Sequence, residues 1–179
     1  MGGIQLQRVE EFHINPGLRQ EIAGLLERSF PGYPGKRTYF MQLPAFRFLA
    51  TLNGSLVGHL AVEHRMINVS GDPARIFGVA DLCVERSFQH QGVGTLLLES
   101  VFSEGITSGV DFVVLVASNQ EFYYPLGFIS VNNPCRWVSI QEHQTLEVVQ
   151  RRLAGDVLVK SLSGKKWGEG LVDFLGTMF

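Results

Sequence analysis

Cysteine is scarce in this chain. There are 2 among 179 residues, Cys83 and Cys135, and they form no metal-like cluster. Both are expected to be reduced, which suits a cytoplasmic setting. An excess of one charge is missing too. In total 15 Lys and Arg oppose 17 Asp and Glu, for a net charge of −2, and basic residues group no further than Lys36-Arg37, Arg151-Arg152 and Lys165-Lys166. A nucleic-acid partner calls for a basic face, so none is expected. No apolar stretch reaches membrane-spanning length and no signal-peptide pattern opens the chain, so a membrane partner is not expected either. The 5 histidines are spread out, with no zinc-ligand spacing to carboxylates or thiols, so the expectation for metal is none. Internal repeats and low-complexity tracts are absent as well.

What remains is an ordinary globular composition, 45% hydrophobic and 18% charged. One domain over residues 1–179 with a substantial core is expected at this length. Residues 4–9 alternate and read as a first strand. Asn15 can cap a helix with Pro16 at its first position, where a missing N–H costs nothing. Leu18, Ile22, Leu25 and Leu26 form its buried stripe, and the turn signals of residues 29–35 end it. Two strand patterns, 46–51 and 55–62, flank Asn53-Gly54, the strongest short hairpin signal available. The second extends towards residue 69, and Gly71-Asp72 turns the chain into a strand ending at Val84. A helix and a parallel strand at 112–117 follow. Later come strand patterns at 128–131, 136–140 and 157–161, a polar helix pattern at 146–153 and a tail from 163 to 179.

The most informative stretch follows Val84. A polar loop closes in Gln89-His90-Gln91-Gly92-Val93-Gly94-Thr95, and Val93, Leu97 and Val101 then recur at helical spacing. A glycine-containing loop therefore joins a strand to the N-terminus of a helix. Amides of the first helical turn lack internal partners, and the macrodipole adds partial positive charge there. Glycine lets that backbone approach a bulky anion, so the physical reading is a phosphate cradle made of main chain. No Gly-Lys-Ser/Thr follows, which excludes a Walker A loop. The dinucleotide fingerprint would need a third glycine near Leu97 and an acid where the apolar strand 112–116 lies. After that strand comes Asn119-Gln120-Glu121-Phe122-Tyr123-Tyr124-Pro125-Leu126-Gly127-Phe128.

The loop resembles the Gln/Arg-x-x-Gly-x-Gly/Ala pyrophosphate loop of the GNAT superfamily of acyl-CoA-dependent N-acyltransferases. Tyr123 to Phe128 is similar to its Tyr-x-x-x-Gly-Phe segment. The motif match covers residues 78–131, and beyond it only the order of elements agrees. The resemblance implies an α/β (α+β) fold: a mixed, mostly antiparallel sheet with helices on both faces and two splayed central parallel strands, 78–84 and 112–117. In the family the pantetheine arm of CoA lies in that gap. Unpaired buried backbone is costly, and a ligand with amides of its own can complete the ladder. The main chain of Leu82, Cys83 and Val84 is therefore expected to bind pantetheine. Gln89, His90, Gln91, Gly92, Val93, Gly94 and Thr95 are expected to hold the diphosphate. Asn119 is a further cofactor contact or the cap of a short helix.

The resemblance also implies the reaction, transfer of an acetyl group from acetyl-CoA to a primary amine by direct attack on the thioester. The amine must lose its proton, the oxyanion needs hydrogen-bond donors, and the leaving thiolate benefits from a proton. Tyr123 matches the family position from which a phenol protonates the sulfur. Its alternative is packing, and Phe122 and Tyr124 are its rivals. Asp81 stands where the family often carries an acid and is the candidate base. Strand alternation would place it with Val79 and Cys83, and its alternative is a carboxylate paired with a nearby Arg. Glu63 and His64 are second choices. Cys83 reads as a small core residue. Gly127 reads as a turn glycine and Phe128 as a core aromatic.

In the family the segment after the first helix lines the acceptor groove. Here it holds Phe30, Tyr33, Lys36, Arg37, Tyr39 and Phe40, so Phe30 and Tyr33, with Glu63, are the substrate-binding candidates. An aromatic and basic lining suits an acceptor with an acidic or apolar part. An aromatic mini-core around a turn is the other reading. The layout of the last third is also similar to aminoglycoside 2′-N-acetyltransferases and to nodulation N-acyltransferases that act on chitooligosaccharide amines. Glu169, Asp173 and the carboxylate of Phe179 would serve such an amino-sugar acceptor, and Lys36 and Arg37 oppose it. The partner expected is a small-molecule amine, and a homodimer is allowed. Two alternatives share the loop: a non-catalytic acyl-CoA-binding module or sensor, and an enzyme with a longer acyl donor. An intact Tyr123 favours an enzyme.

Overall fold

The computed structural model describes residues 3–179. The chain forms two compact units, one of residues up to Val62 with Ala80–Val101, the other of Glu63–Val79 with Phe102–Phe179. In the first unit, β1 (Gln5–Glu10) pairs antiparallel with β2 (Phe46–Leu52), and β2 with the start of β3 (Ser55–Val69). The β2–β3 turn is the expected one: Leu52 faces Ser55, with Asn53 at φ 50° and Gly54 at φ 80°. Two left-handed central residues give the turn whose twist matches that of the flanking strands.

Helix α1 (Pro16–Ser29) starts where Asn15 and Pro16 direct it. Asn15 Oδ1 accepts from the Leu18 amide at 2.9 Å, and Pro16 holds the first position. The helix buries Ile22, Leu25 and Leu26 in one cluster with Val9, Ile14, Leu49 and Cys83. Residues 80–84 of β4 (Asp72–Val84) also belong to this unit, as does most of α2 (Val93–Thr107). The apolar stripe of α2 is buried at Val93, Leu97, Leu98 and Val101. A Cβ on Gly58 of β3 would stand 3.0 Å from Val93 Cγ1 and 3.1 Å from Leu97 Cδ1. The helix lies that close to the strand because residue 58 has no side chain.

The second unit adds β5 (Phe112–Val116), β6 (Ile129–Val131), β7 (Pro134–Gln141), β8 (Gln144–Arg152), β9 (Val157–Ser161) and β10 (Val172–Thr177). Strand order is β6-β9-β5-β4-β3-β10-β7-β8. The sheet is mixed and mostly antiparallel, with β4–β5 and β7–β10 as parallel pairs. The β4–β5 ladder runs from Ile76↔Phe112 to Val79↔Leu115 and ends there. The core of this unit gathers Ile67, Ile76, Phe112, Val114, Val159, Val172 and Phe174.

One expectation needs correction. Residues 146–153 are not a polar helix, because Gln144–Arg152 form β8, paired antiparallel with β7. Glu142 at φ 45° and His143 at φ 63° make a left-handed turn without glycine, and Thr145, Val148 and Val149 suit a strand. The tail, for which no element was expected, holds a further strand. Its segment Val172–Thr177 is β10, antiparallel to β3 and parallel to β7. Among the described residues no helix is long and apolar enough to cross a membrane.

Candidate active site

The loop between β4 and α2 is held by β3 and α1 and by its own glutamine side chains. The Glu85 amide donates to the Val57 carbonyl at 2.8 Å, and the Glu85 carboxylate accepts from Arg28 Nη2 at 2.8 Å. Arg28 holds that carboxyl below the usual range. Gln89 Nε2 then donates to the Val84 carbonyl at 3.0 Å, and Gln91 Nε2 to the Ser87 carbonyl at 2.9 Å. Both glutamine side chains thus brace the loop. His90 at φ 60° and Gly92 at φ 82° are left-handed and bend the chain into α2, whose first turn closes with Leu96 N–H on the Gly92 carbonyl at 3.0 Å. The amides of Val93, Gly94 and Thr95 precede that bond and have no carbonyl within the helix to reach. A Cβ at Gly92 would meet nothing within 4 Å, so the loop is open there. An open loop, first-turn amides with no acceptor inside the helix and the positive end of that helix fit a diphosphate.

Asp81 departs from plain strand alternation. Its backbone is left-handed, at φ 54°, which breaks the face-sharing with Val79 and Cys83 expected of a regular strand. Its direct partner is not an arginine side chain. Tyr33 Oη donates to Asp81 Oδ2 at 2.8 Å. Burial raises the carboxyl above its ordinary range, against the opposing pull of the Tyr33 bond and the Arg47 charge. Burial, and then the Asp81 charge, push the Tyr33 phenol well above its ordinary value, so it keeps its proton. Phe30 and Phe40 flank Tyr33, with ring centroids at 6.0 and 5.9 Å. Two of the acceptor candidates, Phe30 and Tyr33, therefore join the candidate base in one unit. Cys83 is 7% exposed and burial pushes its thiol up to about 12, which leaves it protonated and inert.

Behind Asp81 lies a buried polar chain that composition and motifs did not single out. Arg47 and His59 are both 0% exposed. Arg47 Nε donates to Glu11 Oε2 at 2.7 Å, and Arg47 Nη1 lies 2.7 Å from His59 Nε2. A guanidinium only donates, so Nε2 carries the lone pair and Nδ1 carries the hydrogen. His59 Nδ1 then donates to the Asp81 carbonyl at 2.9 Å. Burial, with the Arg47 charge, lowers the His59 pKa to about 3, so the ring is neutral. The sequence signal was a charged or ionisable residue inside an apolar strand run, at Phe46-Arg47-Phe48 and Gly58-His59-Leu60.

Tyr123 lies in the second unit, on a single turn closed by Gly127 at φ 84°. Its ring packs on Phe128 at 5.6 Å, and Phe128 on Phe102 at 5.8 Å. Lys160 Nζ lies 4.8 Å from the Phe102 centroid and donates to the Leu126 carbonyl at 2.8 Å, which fixes the turn. Burial raises the Tyr123 phenol, which keeps it protonated as an acid requires. Of its rivals, Tyr124 is hydrogen-bonded to Gln120, and Phe122 has no ionisable group. Asn119 Oδ1 accepts from the Glu121 amide at 3.3 Å, a local cap. Glu63 faces Arg65 at 3.2 Å, and the His64 ring stands edge-on to Phe77. Asp173 is committed to Arg136, whose Nε donates to it at 3.0 Å, and so does not supply free negative charge.

The sequence matches the family model for an acetyltransferase (GNAT) domain over residues 14–130. The chain belongs to the GNAT family. That span holds α1, the Tyr33–Asp81 pair, the loop and Tyr123. No curated protein matches the sequence. Solved GNAT structures share the fold. One is the GNAT family N-acetyltransferase YhbS from Escherichia coli in complex with CoA, at 19% identity and TM-score 0.64, covering 96% of this chain and 88% of that one. Another is the ribosomal-protein-S18-alanine N-acetyltransferase of Escherichia coli, at 16% identity and TM-score 0.61, with 92% and 97% covered. A third is Eis1 from Mycobacterium abscessus, at 16% identity and TM-score 0.61, where the match covers 74% of this chain and 32% of that one.

Proposed function

We propose that this GNAT chain is an acetyl-CoA-dependent N-acetyltransferase that acetylates a primary amine of a small molecule by direct attack on the thioester. The observation that carries this reading is the start of α2, where an open, left-handed Gly92 stands beside first-turn amides with no helical acceptor. Those amides would hold the diphosphate of CoA, and the main chain of residues 82–84 would meet its pantetheine amides. Asp81 is the base of the proposal. A buried carboxyl that holds its proton more tightly than usual is a stronger base for an amine than an exposed one. Tyr123 is the acid that returns a proton to the leaving sulfur. The ring of Tyr33 at Asp81, with Phe30 and Phe40 packed on it, suits an amine borne on an apolar group.

CoA at about 100 times its Kd should stabilise the protein by about 2.7 kcal/mol. For a chain of this size that is a rise of about 5–10 °C in Tm. Gly92→Asp should remove most of that rise, because it sets a carboxylate at the cradle and strains a left-handed backbone. Release of free thiol from acetyl-CoA against a panel of amines reads out the reaction. An unmoved Tm at saturating CoA would sink the proposal. A shift without thiol release for any amine would point instead to a non-catalytic CoA-binding module. Tyr123→Phe should slow turnover by about 100-fold with the CoA shift intact. Unchanged turnover would reduce Tyr123 to a packing residue.

A further inference from the structure

Asp81 holds a backbone conformation that L-residues avoid, and such a conformation persists only where its surroundings enforce it. The enforcing group is visible. The His59 Nδ1–H bond to the Asp81 carbonyl, at 2.9 Å, ties the left-handed residue to β3. His59 can donate there only as the Nδ1–H tautomer, and Arg47 sets that tautomer by donating to Nε2 at 2.7 Å. Glu11 in turn holds Arg47, at 2.7 Å. This is an expensive way to fill a core. Arg47 Nη2 and Glu11 Oε1 are buried and have no hydrogen-bond partner among the described residues. A buried ion pair is often no better for stability than apolar side chains of the same volume. The arrangement therefore does something that packing alone does not require.

We infer that the buried chain Glu11–Arg47–His59 is a positioning device that sets the backbone of Asp81 and thereby aims its carboxylate for proton abstraction. This inference rests on the reading of Asp81 as the base. His59 touches no substrate in this scheme and acts only through the Asp81 main chain. Four groups face the carboxylate or its backbone: Tyr33 from the segment after α1, Arg47 on β2, His59 on β3 and Cys83 on β4 itself. The Glu85–Arg28 pair lies next to Cys83. Of these, only His59 holds the Asp81 carbonyl.

The test compares His59→Leu, which removes the donor, with His59→Asn, whose side-chain amide can replace Nδ1–H. Hydrogen–deuterium exchange is read over residues 80–84, and the pH profile of kcat/KM is read by thiol release. His59→Leu should speed exchange in that segment, lower kcat roughly 10- to 100-fold and displace the limb of the profile that reports the base. His59→Asn should recover most of both. The CoA-induced rise in Tm should survive in each, since the amide cradle is not touched. Unchanged exchange in a folded His59→Leu protein overturns the inference, and so does faster exchange with kcat and the pH profile unmoved. Should His59→Leu fail to fold, His59→Gln replaces it, because its longer side chain cannot present an N–H where Nδ1 stood. Equal exchange and equal profiles for His59→Gln and His59→Asn then overturn the inference. Full activity of Asp81→Asn would instead remove the base reading, and the exchange data would still report whether His59 holds residue 81.

Discussion

Asp81→Asn is expected to lower acetyl-transfer turnover by about 100-fold or more and, at the same time, to raise the melting temperature. Asn tolerates a left-handed backbone and offers an oxygen to the Tyr33 hydroxyl, so local geometry is kept. What it cannot do is accept a proton from an amine. The stability gain follows from the sign of the pKa shift. Burial raises the Asp81 carboxyl in the folded protein above its unfolded value of 3.8, so the folded state binds that proton more tightly. A raised carboxyl favours folding below the unfolded value, and that favour is lost as pH climbs through the folded value. Above that window the native protein carries the cost of an ionised, buried group, and Asn does not. Melting curves of the two proteins should therefore nearly coincide at about pH 4 and separate by about pH 8, with the variant higher. A variant that melts lower than the wild type at the alkaline end would contradict the burial argument. A variant with full turnover would end the case for Asp81 as the base.

Arg47→Met should produce the largest loss of stability, about 3–5 kcal/mol, or roughly 6–20 °C in Tm. The cost does not come from volume, since Met fills much of the same space. It comes from what is left behind. Glu11 would keep a carboxylate that is 10% exposed, with Arg19 at 3.9 Å as its remaining ion-pair partner. The lone pair of His59 Nε2 would lose its donor. Adding Glu11→Gln removes the stranded charge, so the double variant should recover a sizeable share of the loss. A double-mutant cycle measured by chemical denaturation reads the coupling directly. A single-variant loss below about 1 kcal/mol would mean that Glu11 is not left as an uncompensated buried charge.

What the sequence made legible was local. Asn15 with Pro16, Asn53 with Gly54, and the glycine loop before α2 each act within a few residues, and each element formed where its own residues direct it. The later hairpin escaped because its turn, Glu142-His143, is left-handed without the glycine that normally announces it. Strand β10 escaped because its partners Val69 and Cys135 are distant in the chain, and only pairing with them makes it a strand. The candidate site divides in the same way. The amide cradle and Tyr123 are carried by contiguous motifs. The chain behind Asp81 joins residues 11, 47, 59 and 81, and no spacing rule links them. Arg47 and His59 each broke an apolar run, which signals a buried polar group but does not say what it binds.

The left-handed turn of β4 at residue 81 also narrows which amino acids can occupy that position. Gly accepts such a backbone freely and Asp and Asn bear it at less cost than other side chains, whereas Glu, with an extra methylene and no local hydrogen bond of its own, meets the full penalty. A swap between the two carboxylic acids, routinely scored as mild, is therefore a harsh change here. The reach of the carboxylate is dictated by main-chain geometry before any chemistry is chosen.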